Sequence, residues 1–171
     1  MKGSSWLLAT ALLPGLLACH KEQPVTVDNR ALGLRVTFPG PPKQLMYSEQ
    51  TPLGTFLWYN LTYTPGGALN AANLHVDVGS PTPAELERLT ATSLLGGFKD
   101  HLRQRLGPIR VETLPEGRGP GFHYVAQKVN GRILEGVVIL RRGRIHHAQG
   151  AAATPGDPAL KAFLDGFEVT P

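Results

Sequence analysis

An Asn-Gly pair between two stretches of alternating apolar and polar residues limits most strongly how this chain folds. Asn130-Gly131 separates segments 122–129 and 132–140. The pair favours a two-residue turn, because such a turn needs positive φ angles that Asn and Gly adopt readily. Alternation with a period of two places the apolar side chains of a strand on one face. The sequence therefore predicts an antiparallel β-hairpin here.

Strand patterns of the same kind recur along the chain, at 32–38, 55–63, 74–78, 109–114 and 145–152. The second of these is apolar on both faces at its start, which is typical of a strand in the middle of a sheet. Turn residues separate the strands, including Pro39-Gly40-Pro41-Pro42 and a tight turn at Arg142-Gly143.

Two segments change to the helical period. In the first, Thr82 and Glu85 form a capping box and Pro83 fits the first helical position, so we expect a helix that ends near Leu106. Its apolar stripe changes side near Gly96-Gly97, and paired small residues are a usual cause of kinks. We therefore expect a bend or break at these two glycines.

The second helical segment follows Asp157 and Pro158 and ends at Gly166, with apolar residues at helical spacing between them. Groups of hairpin-connected strands, each followed by a helix, predict an α+β domain. We expect an antiparallel β-sheet with the helices packed on it.

Residues 1–18 have the pattern of an export signal. Lys2 precedes the mostly apolar segment 6–18, and Ala18 is the small residue that export peptidases favour at a cleavage site. The apolar segment is shorter than the roughly 20 residues that span a bilayer. We therefore predict a secretory signal peptide, with a short membrane-embedded helix as the alternative.

Leu16-Leu17-Ala18-Cys19 resembles the bacterial lipobox, in which the cysteine thiol receives a diacylglyceryl group before cleavage. Cys19 is the only cysteine and has no disulfide partner within the chain. The resemblance implies a lipoprotein that begins at Cys19 and binds the lipid bilayer through acyl chains such as palmitate. Two or more acyl chains anchor a protein stably, whereas one does not. An unmodified thiol in an ordinary signal peptide is the alternative.

The lipobox resemblance divides the chain into a signal peptide at 1–18, a polar tether at 19–24 and a single domain at 25–171. In Gram-negative bacteria, an aspartate after the lipidated cysteine is the usual signal for retention at the inner membrane. His20 occupies that position here. We therefore expect a lipid-anchored protein of the bacterial cell envelope, at the outer membrane and facing the periplasm.

Two short segments carry a second resemblance. Residues 38–43 (FPGPPK) and 162–167 (AFLDGF) resemble the opening and closing signatures of small exported bacterial proteins with a PsbP-like fold. The resemblance covers nearly the whole of 25–171 and implies a PsbP-like α+β domain. It also implies a binding or accessory subunit rather than an enzyme, because it offers no catalytic motif to transfer.

The residues themselves present no recognisable catalytic constellation. Ser48, Ser80 and Ser93 lie in no nucleophile turn, and Cys19 is reserved for lipid. The formal net charge of +4, one unit of which belongs to Lys2, is too small for a nucleic-acid-binding face. We therefore predict neither enzymatic activity nor a cofactor, and no nucleic acid as a partner.

The histidines raise the question of a metal site. Neighbouring side chains of a strand point to opposite faces, so His146 and His147 cannot converge on one ion. His75 shares a face with Asp77, as His147 does with Gln149. Each pair supplies two donors, fewer than the three or four protein ligands of a zinc site. No metal site is predicted unless other parts of the fold contribute ligands.

Arg141, Arg142 and Arg144, with His146 nearby, form a basic tip on a hairpin and are the candidate partner-binding residues. Such a tip suits anionic lipid headgroups or an acidic partner. Its alternative role is a solvated turn that protects a sheet edge. The sequence thus predicts a non-enzymatic, membrane-anchored lipoprotein that binds or supports another envelope component. The alternative is a periplasm-facing carrier of a small ligand or metal, which a deep pocket with polar walls would favour.

Overall fold

The computed structural model describes residues 22–64, 73–127 and 131–171. The strands within these residues are β1 (Val25–Asn29), β2 (Leu34–Phe38), β3 (Lys43–Thr51), β4 (Gly54–Tyr63), β5 (Leu74–Pro81), β6 (Ile109–Thr113), β7 (Gly121–Gln127), β8 (Ile133–Arg141), β9 (Arg144–Ala152) and β10 (Glu168–Val169). The helices are α1 (Pro83–Leu86), α2 (Ala91–Leu106) and α3 (Pro158–Asp165). No helix in these ranges is long and apolar enough to cross a membrane.

The larger sheet is antiparallel and has the strand order β3-β4-β5-β9-β8-β7-β6. Strand β4 lies between β3 and β5, so the central position predicted for segment 55–63 is confirmed. Strands β7 and β8 pair as the predicted hairpin, but Gln127 lies opposite Ile133, a register that differs by one residue from that of a two-residue turn at Asn130-Gly131. Residues 128–130 lie outside the described residues. With helices packed on this sheet, the predicted α+β class is confirmed.

A smaller sheet pairs β2 with β1 on one side and with β10 on the other. The sequence analysis did not predict β1 or β10. Strand β10 has two residues, too few for a period to appear, and β1 alternates between half-buried and exposed positions without any fully buried residue. Both strands depend on pairing with β2, which carries the buried Leu34, Val36 and Phe38.

The predicted helix break is wrong in its position. Helix α2 runs through Gly96-Gly97 without interruption, and the chain breaks instead between α1 and α2. Thr90 starts α2 with a reciprocal cap, in which Ser93 N donates to Thr90 Oγ1 and Thr90 N donates to Ser93 Oγ. Thr82, by contrast, makes no side-chain cap bond. The stronger cap at Thr90 therefore fixes where the long helix begins.

The larger sheet has apolar cores on both faces. Helix α2 covers one face through the buried residues Leu94, Phe98 and Leu102, which pack with side chains of β4, β7, β8 and β9. Helix α3 and the smaller sheet cover the other face, where Phe163 packs against Phe38. The two faces thus have different covers, and the cover on the α2 side leaves part of the sheet open.

The tight turn predicted at Arg142-Gly143 is confirmed. Both residues have positive φ angles, 51° at Arg142 and 71° at Gly143. This conformation joins β8 to β9 with Arg141 opposite Arg144. It matches the right-handed twist of the two strands, as expected for a two-residue hairpin turn.

Candidate functional site

A cleft opens between the carboxyl-terminal half of α2 and the sheet face that α2 covers. Its polar and aromatic walls come from three sheet strands near one edge, from β9 and from the helix: Tyr47, Glu49, Trp58, Asp77, His101, Arg105, His147 and Gln149. The cavity volume is about 90 Å³. Because drug-sized ligands occupy sites of roughly 300 Å³ or more, this cleft suits a molecule of only a few heavy atoms.

The register of the sheet brings the polar side chains of the cleft together. Asn60 of β4 lies opposite Asp77 of β5, and Asp77 lies opposite His147 of β9. The next pair along the same two strands is His75 with Gln149. Since directly opposed residues project from the same face, these side chains form one polar strip beside the apolar core.

A chain of hydrogen bonds joins the strip to a buried tyrosine. Asn60 Nδ2 donates to Asp77 Oδ1 at 2.6 Å, and His147 Nδ1 lies 3.4 Å from Asp77 Oδ2. The Tyr124 hydroxyl lies 2.8 Å from His147 Nε2 and donates its proton to Gln149 Oε1 at 3.0 Å. Because a hydroxyl has one proton to donate, His147 Nε2 is the donor in its bond to Tyr124. Both ring nitrogens of His147 are therefore engaged.

The electrostatics of this chain favour an ionised Asp77 and a protonated Tyr124. Burial alone would raise the pKa of Asp77, but hydrogen bonds from His147 and Asn60 and the nearby His147 and His75 together lower it. Burial raises the pKa of the Tyr124 hydroxyl strongly, and the Asp77 charge adds to that effect. The carboxylate thus keeps its charge inside the domain because it is hydrogen-bonded on both oxygens.

The indole ring of Trp58 is one of the walls of the cleft. Its side chain is 4% exposed, and Nε1 is enclosed by protein and has no hydrogen-bond partner among the described residues. The benzene edge of the ring, with Cε3 and Cζ3, lies over Gly79, where a Cβ would overlap it. A buried N–H without a partner costs stability, so this ring is held in place by packing rather than by a hydrogen bond.

Two opposite charges line the same cleft. Glu49 on β3 and Arg105 on α2 form no salt bridge, with each other or with another side chain, in the described part of the chain. Both act on His101: burial lowers the pKa of this histidine, Glu49 raises it and Arg105 lowers it. Both also act on Tyr47, whose pKa burial raises. The cleft therefore offers one negative and one positive group around a small cavity.

The histidine pair is placed as the alternation predicts. His147 faces the cleft and α2, where it meets Phe98 edge-on. His146 is on the opposite face, and its Nε2 donates to the Leu32 carbonyl at 2.8 Å. Within residues 22–64, 73–127 and 131–171, no cluster of three or more histidine, cysteine, aspartate or glutamate residues has metal-binding geometry.

The predicted basic tip is attached to the smaller sheet rather than free. Arg144 Nη1 donates to the Ala31 carbonyl at 2.6 Å, and Arg141 Nη1 donates to the Val169 carbonyl at 3.4 Å. His146 is 2% exposed and does not belong to an exposed patch, because the β1–β2 loop covers it. The partner-binding role of Arg141, Arg142 and Arg144 stays a prediction, and His146 could serve it only by holding the loop in place.

Cys19, the predicted lipidation site, lies outside the described residues, as does the rest of the first half of the tether. The last tether residues are described, and Glu22 is fixed on the domain. The Tyr63 hydroxyl donates to Glu22 Oε2 at 2.6 Å.

Sequence reasoning did not predict the cleft. Alternation placed His75 with Asp77 and His147 with Gln149, but only as pairs too small for a metal site and without showing that β5 and β9 are neighbours. Asn60, Tyr124 and Arg105 were missed, because each comes from a different element. The available signal was Asn60, a polar residue in a strand that is otherwise apolar on both faces.

Comparisons with known proteins identify no family. No family model matches the chain, and no curated protein matches it. Among solved structures, the chain is similar to the cyanobacterial PsbP protein, CyanoP, of Synechocystis sp. PCC 6803. The TM-score is 0.45 at 16% identity, over 85% of this chain and 92% of that one. The protein named is of the kind that segments 38–43 and 162–167 resemble, but a likeness of this extent assigns no function, partner or site.

Proposed function

We propose that this chain is a non-catalytic binding module, anchored to a membrane of the bacterial envelope through Cys19, that holds a small zwitterion such as a free amino acid in the cleft. One observation carries the proposal: a carboxylate, Glu49, and a guanidinium, Arg105, line the same cavity of about 90 Å³, and neither forms an ion pair within residues 22–64, 73–127 and 131–171. A zwitterion complements both charges at once.

The chemistry of each group supports binding with a fixed orientation. The guanidinium of Arg105 is a donor suited to a carboxylate, and the Glu49 carboxylate is an acceptor suited to an ammonium group. Charge-assisted hydrogen bonds of this kind are stronger than neutral ones. A ligand with only one of the two charges would leave the other side chain of the cleft without a partner.

The arrangement of His147 supports a non-catalytic role. A general base needs a ring nitrogen within reach of the substrate, but Asp77 and Tyr124 engage both nitrogens of His147. The raised pKa of Tyr124 keeps that hydroxyl protonated, which makes it a poor nucleophile. The polar strip thus supports the cleft wall, where buried polar groups fix a single side-chain arrangement.

The anchor is proposed on the amino-terminal pattern, since a thiol at Cys19 behind an apolar segment suits diacylglyceryl transfer. Mass spectrometry of the mature protein tests this part independently of the cleft. We expect a chain that begins at Cys19 and carries the mass of its acyl groups. An intact Met1, or an unmodified Cys19, would show that the protein has no lipid anchor.

Trp58 provides the test of the cleft. The chain has two tryptophans, Trp6 and Trp58, so a chain that begins at Cys19 reports on Trp58 alone. We expect glycine and alanine to change Trp58 emission saturably and to raise the melting temperature. Acetate and methylammonium, which carry one charge each, should give weaker responses. If none of the four probes gives a saturable change, the cleft does not bind zwitterions.

Matched variants locate the binding. Arg105→Gln and Glu49→Gln should each weaken binding by about tenfold or more, because each removes one charge-assisted contact. Arg103→Gln is the control, since Arg103 lies on the same helix but pairs with Asp100 away from the cleft. Equal affinity in all three variants and the native protein would place the ligand elsewhere.

A second candidate function, binding of another envelope protein, is favoured by an exposed apolar surface on β3 and β4. Met46 and Leu57 are 72% and 57% exposed and project from the sheet face opposite to the cleft. Such a surface is typical of a protein interface. Crosslinking in intact cells should capture one specific protein, and a Met46→Lys, Leu57→Lys variant should lose it. Capture that the double variant retains would exclude this surface.

A further inference from the structure

Four arginines from two distant parts of the chain converge at one end of the domain. Arg141, Arg142 and Arg144 lie at the β8–β9 turn, and Arg30 comes from the loop between β1 and β2. Together with Thr170 they line a concave pocket with a cavity volume of about 30 Å³. We call this the arginine pocket. The sequence shows three of these arginines side by side but gives no sign that Arg30 joins them.

The positive charge of the arginine pocket is not neutralised by acidic side chains. None of the four arginines forms a salt bridge with an aspartate or glutamate in residues 22–64, 73–127 or 131–171. Glu168, which precedes the β10 residue next to the pocket, pairs with Arg35 instead. Four guanidinium groups held close together repel one another, so an anion between them would be stabilising.

The arginine pocket is held in shape by bonds to backbone carbonyls. Arg144 donates to the Ala31 carbonyl, and His146 donates to the Leu32 carbonyl, so the β1–β2 loop is tied to β9. Arg141 donates to the Val169 carbonyl. Each guanidinium has five N–H donors, so these bonds leave most of them available. A site whose donors are fixed in advance loses less entropy when it binds.

Thr170 forms part of the wall of the arginine pocket. Its backbone N donates to the Gly33 carbonyl, which fixes the residue against the β1–β2 loop. Its Oγ1 is enclosed by protein, so the arginines supply the donors that an anion can reach. Several guanidinium groups suit a tetrahedral oxyanion, because planar arginine forks pair with phosphate oxygens in a bidentate way.

We propose that the arginine pocket binds a phosphate group. The volume accommodates one such group and excludes a whole cofactor. Two sources present the same chemistry, the headgroup of an anionic phospholipid and a soluble phosphate. Arg30 and Arg142 are exposed, whereas Arg144 holds the β1–β2 loop and Arg141 holds β10. The first pair therefore selects the anion, and the second pair positions the site.

Calorimetric titration of the full lipidated protein in dodecyl maltoside micelles, which contain no phosphate, tests this proposal. The probes are inorganic phosphate and water-soluble dihexanoyl phosphatidylglycerol at constant ionic strength, with acetate as the control anion. We expect saturable binding of at least one phosphate probe that is at least about tenfold tighter than binding of acetate. Response to both probes indicates a general phosphate site, and response to phosphatidylglycerol alone assigns the source to lipid. Absence of binding by both overturns the proposal.

A pair of double variants provides the matched control. Arg30→Gln with Arg142→Asn removes two charges from the arginine pocket, and asparagine tolerates the positive φ of position 142. Arg88→Gln with Arg110→Gln removes two exposed arginines elsewhere. Only the first double variant should lose phosphate affinity, by about tenfold or more. Equal losses in the two variants would show a nonspecific effect of net charge and overturn the proposal.

Discussion

His146 and His147 are neighbours in the chain and are both buried, at 2% and 4% exposure, yet they have opposite chemical surroundings. His147 faces Asp77, Tyr124 and the cleft, where a carboxylate stabilises it. His146 faces the smaller sheet and donates to the Leu32 carbonyl, with no acidic partner in the described residues. Burial lowers the pKa of His146, although the bond to Leu32 opposes that effect.

The difference teaches that strand alternation assigns each histidine to a layer, and that the layer then decides its chemistry. The α2 side of the sheet contains a polar strip, because α2 leaves the strands beside β3 open at its carboxyl-terminal half. The other side is covered by α3 and the smaller sheet, and His146 donates there to the Leu32 carbonyl of the β1–β2 loop. His147 therefore supports the wall of the cleft, whereas His146 holds the β1–β2 loop in place.

Removal of the Asp77 carboxylate should have the largest effect on stability of the changes that test this contrast. Asp77→Ala leaves the His147 and Asn60 side chains without the carboxylate that they contact, and each buried donor left without an acceptor costs about 1–3 kcal/mol. We expect a loss of that size in the free energy of unfolding, measured by urea denaturation. Asp100→Ala is the control, because its pair with Arg103 is exposed and should contribute less than about 1 kcal/mol. A similar loss in both variants would contradict the role of Asp77.

The dependence of stability on pH should separate the contributions of His146 and Asp77, which lie on opposite faces of the sheet. A histidine with a lowered pKa in the folded state binds a proton more readily when unfolded, so His146 makes the protein less stable as the pH falls below about 6.5. Asp77 has a lowered pKa, so its contribution is present above about 3.9 and is lost as the pH falls through its folded-state value. The two groups thus act in different pH ranges.

The variant His146→Gln tests the contribution of His146 to stability in the upper pH range. Glutamine can donate to the Leu32 carbonyl but does not titrate, so the variant should lose less stability than the native protein between pH 7.5 and 5.5. One proton accounts for a slope of at most about 1.4 kcal/mol per pH unit. His101, whose pKa is also lowered, contributes the remaining slope. If the free energy of unfolding, measured by urea denaturation, changes with pH to the same extent in both proteins across this range, His146 is excluded as a titrating group.

Much of the fold could be predicted from the sequence because local signals and global structure agree. The Arg142-Gly143 turn, the central position of β4 and the capped helix α3 each have a signal within a few residues. The break before α2 was misplaced, because a Thr-Ser reciprocal cap at Thr90 competes with the acidic cap pattern at Thr82. Both bonds of the Thr90 cap form, whereas Thr82 makes no side-chain cap bond.

The sites were less predictable for a related reason. The cleft needs β5 and β9 to be neighbours, and the arginine pocket needs the β1–β2 loop to meet the β8–β9 turn. Both are contacts between residues far apart in the chain. Alternation shows which face a side chain lies on but not which strand stands beside it. Glu49 and Arg105 therefore had no reason to be grouped until the fold brought them together.

The two glycines of α2, Gly96 and Gly97, test how closely the helix packs on its neighbours. Their substitution should change the stability least. A Cβ at Gly96 would meet nothing within 4 Å, whereas a Cβ at Gly97 would overlap Leu53. Gly96→Ala should therefore stabilise the protein by up to about 1 kcal/mol through helix propensity. Gly97→Ala should lose that gain, because overpacking against Leu53 costs about 1–3 kcal/mol. Thermal unfolding of both variants measures the difference.

Leu53→Ala provides the control for the last comparison. If contact with Leu53 is what distinguishes the two glycines, Gly97→Ala should become as stabilising as Gly96→Ala in a Leu53→Ala background, since the overlapping side chain is gone. Equal effects of the two alanines in the native background would mean that α2 stands off the sheet at its amino-terminal half as well. The cleft would then extend along the whole helix instead of opening only beside His101 and Arg105.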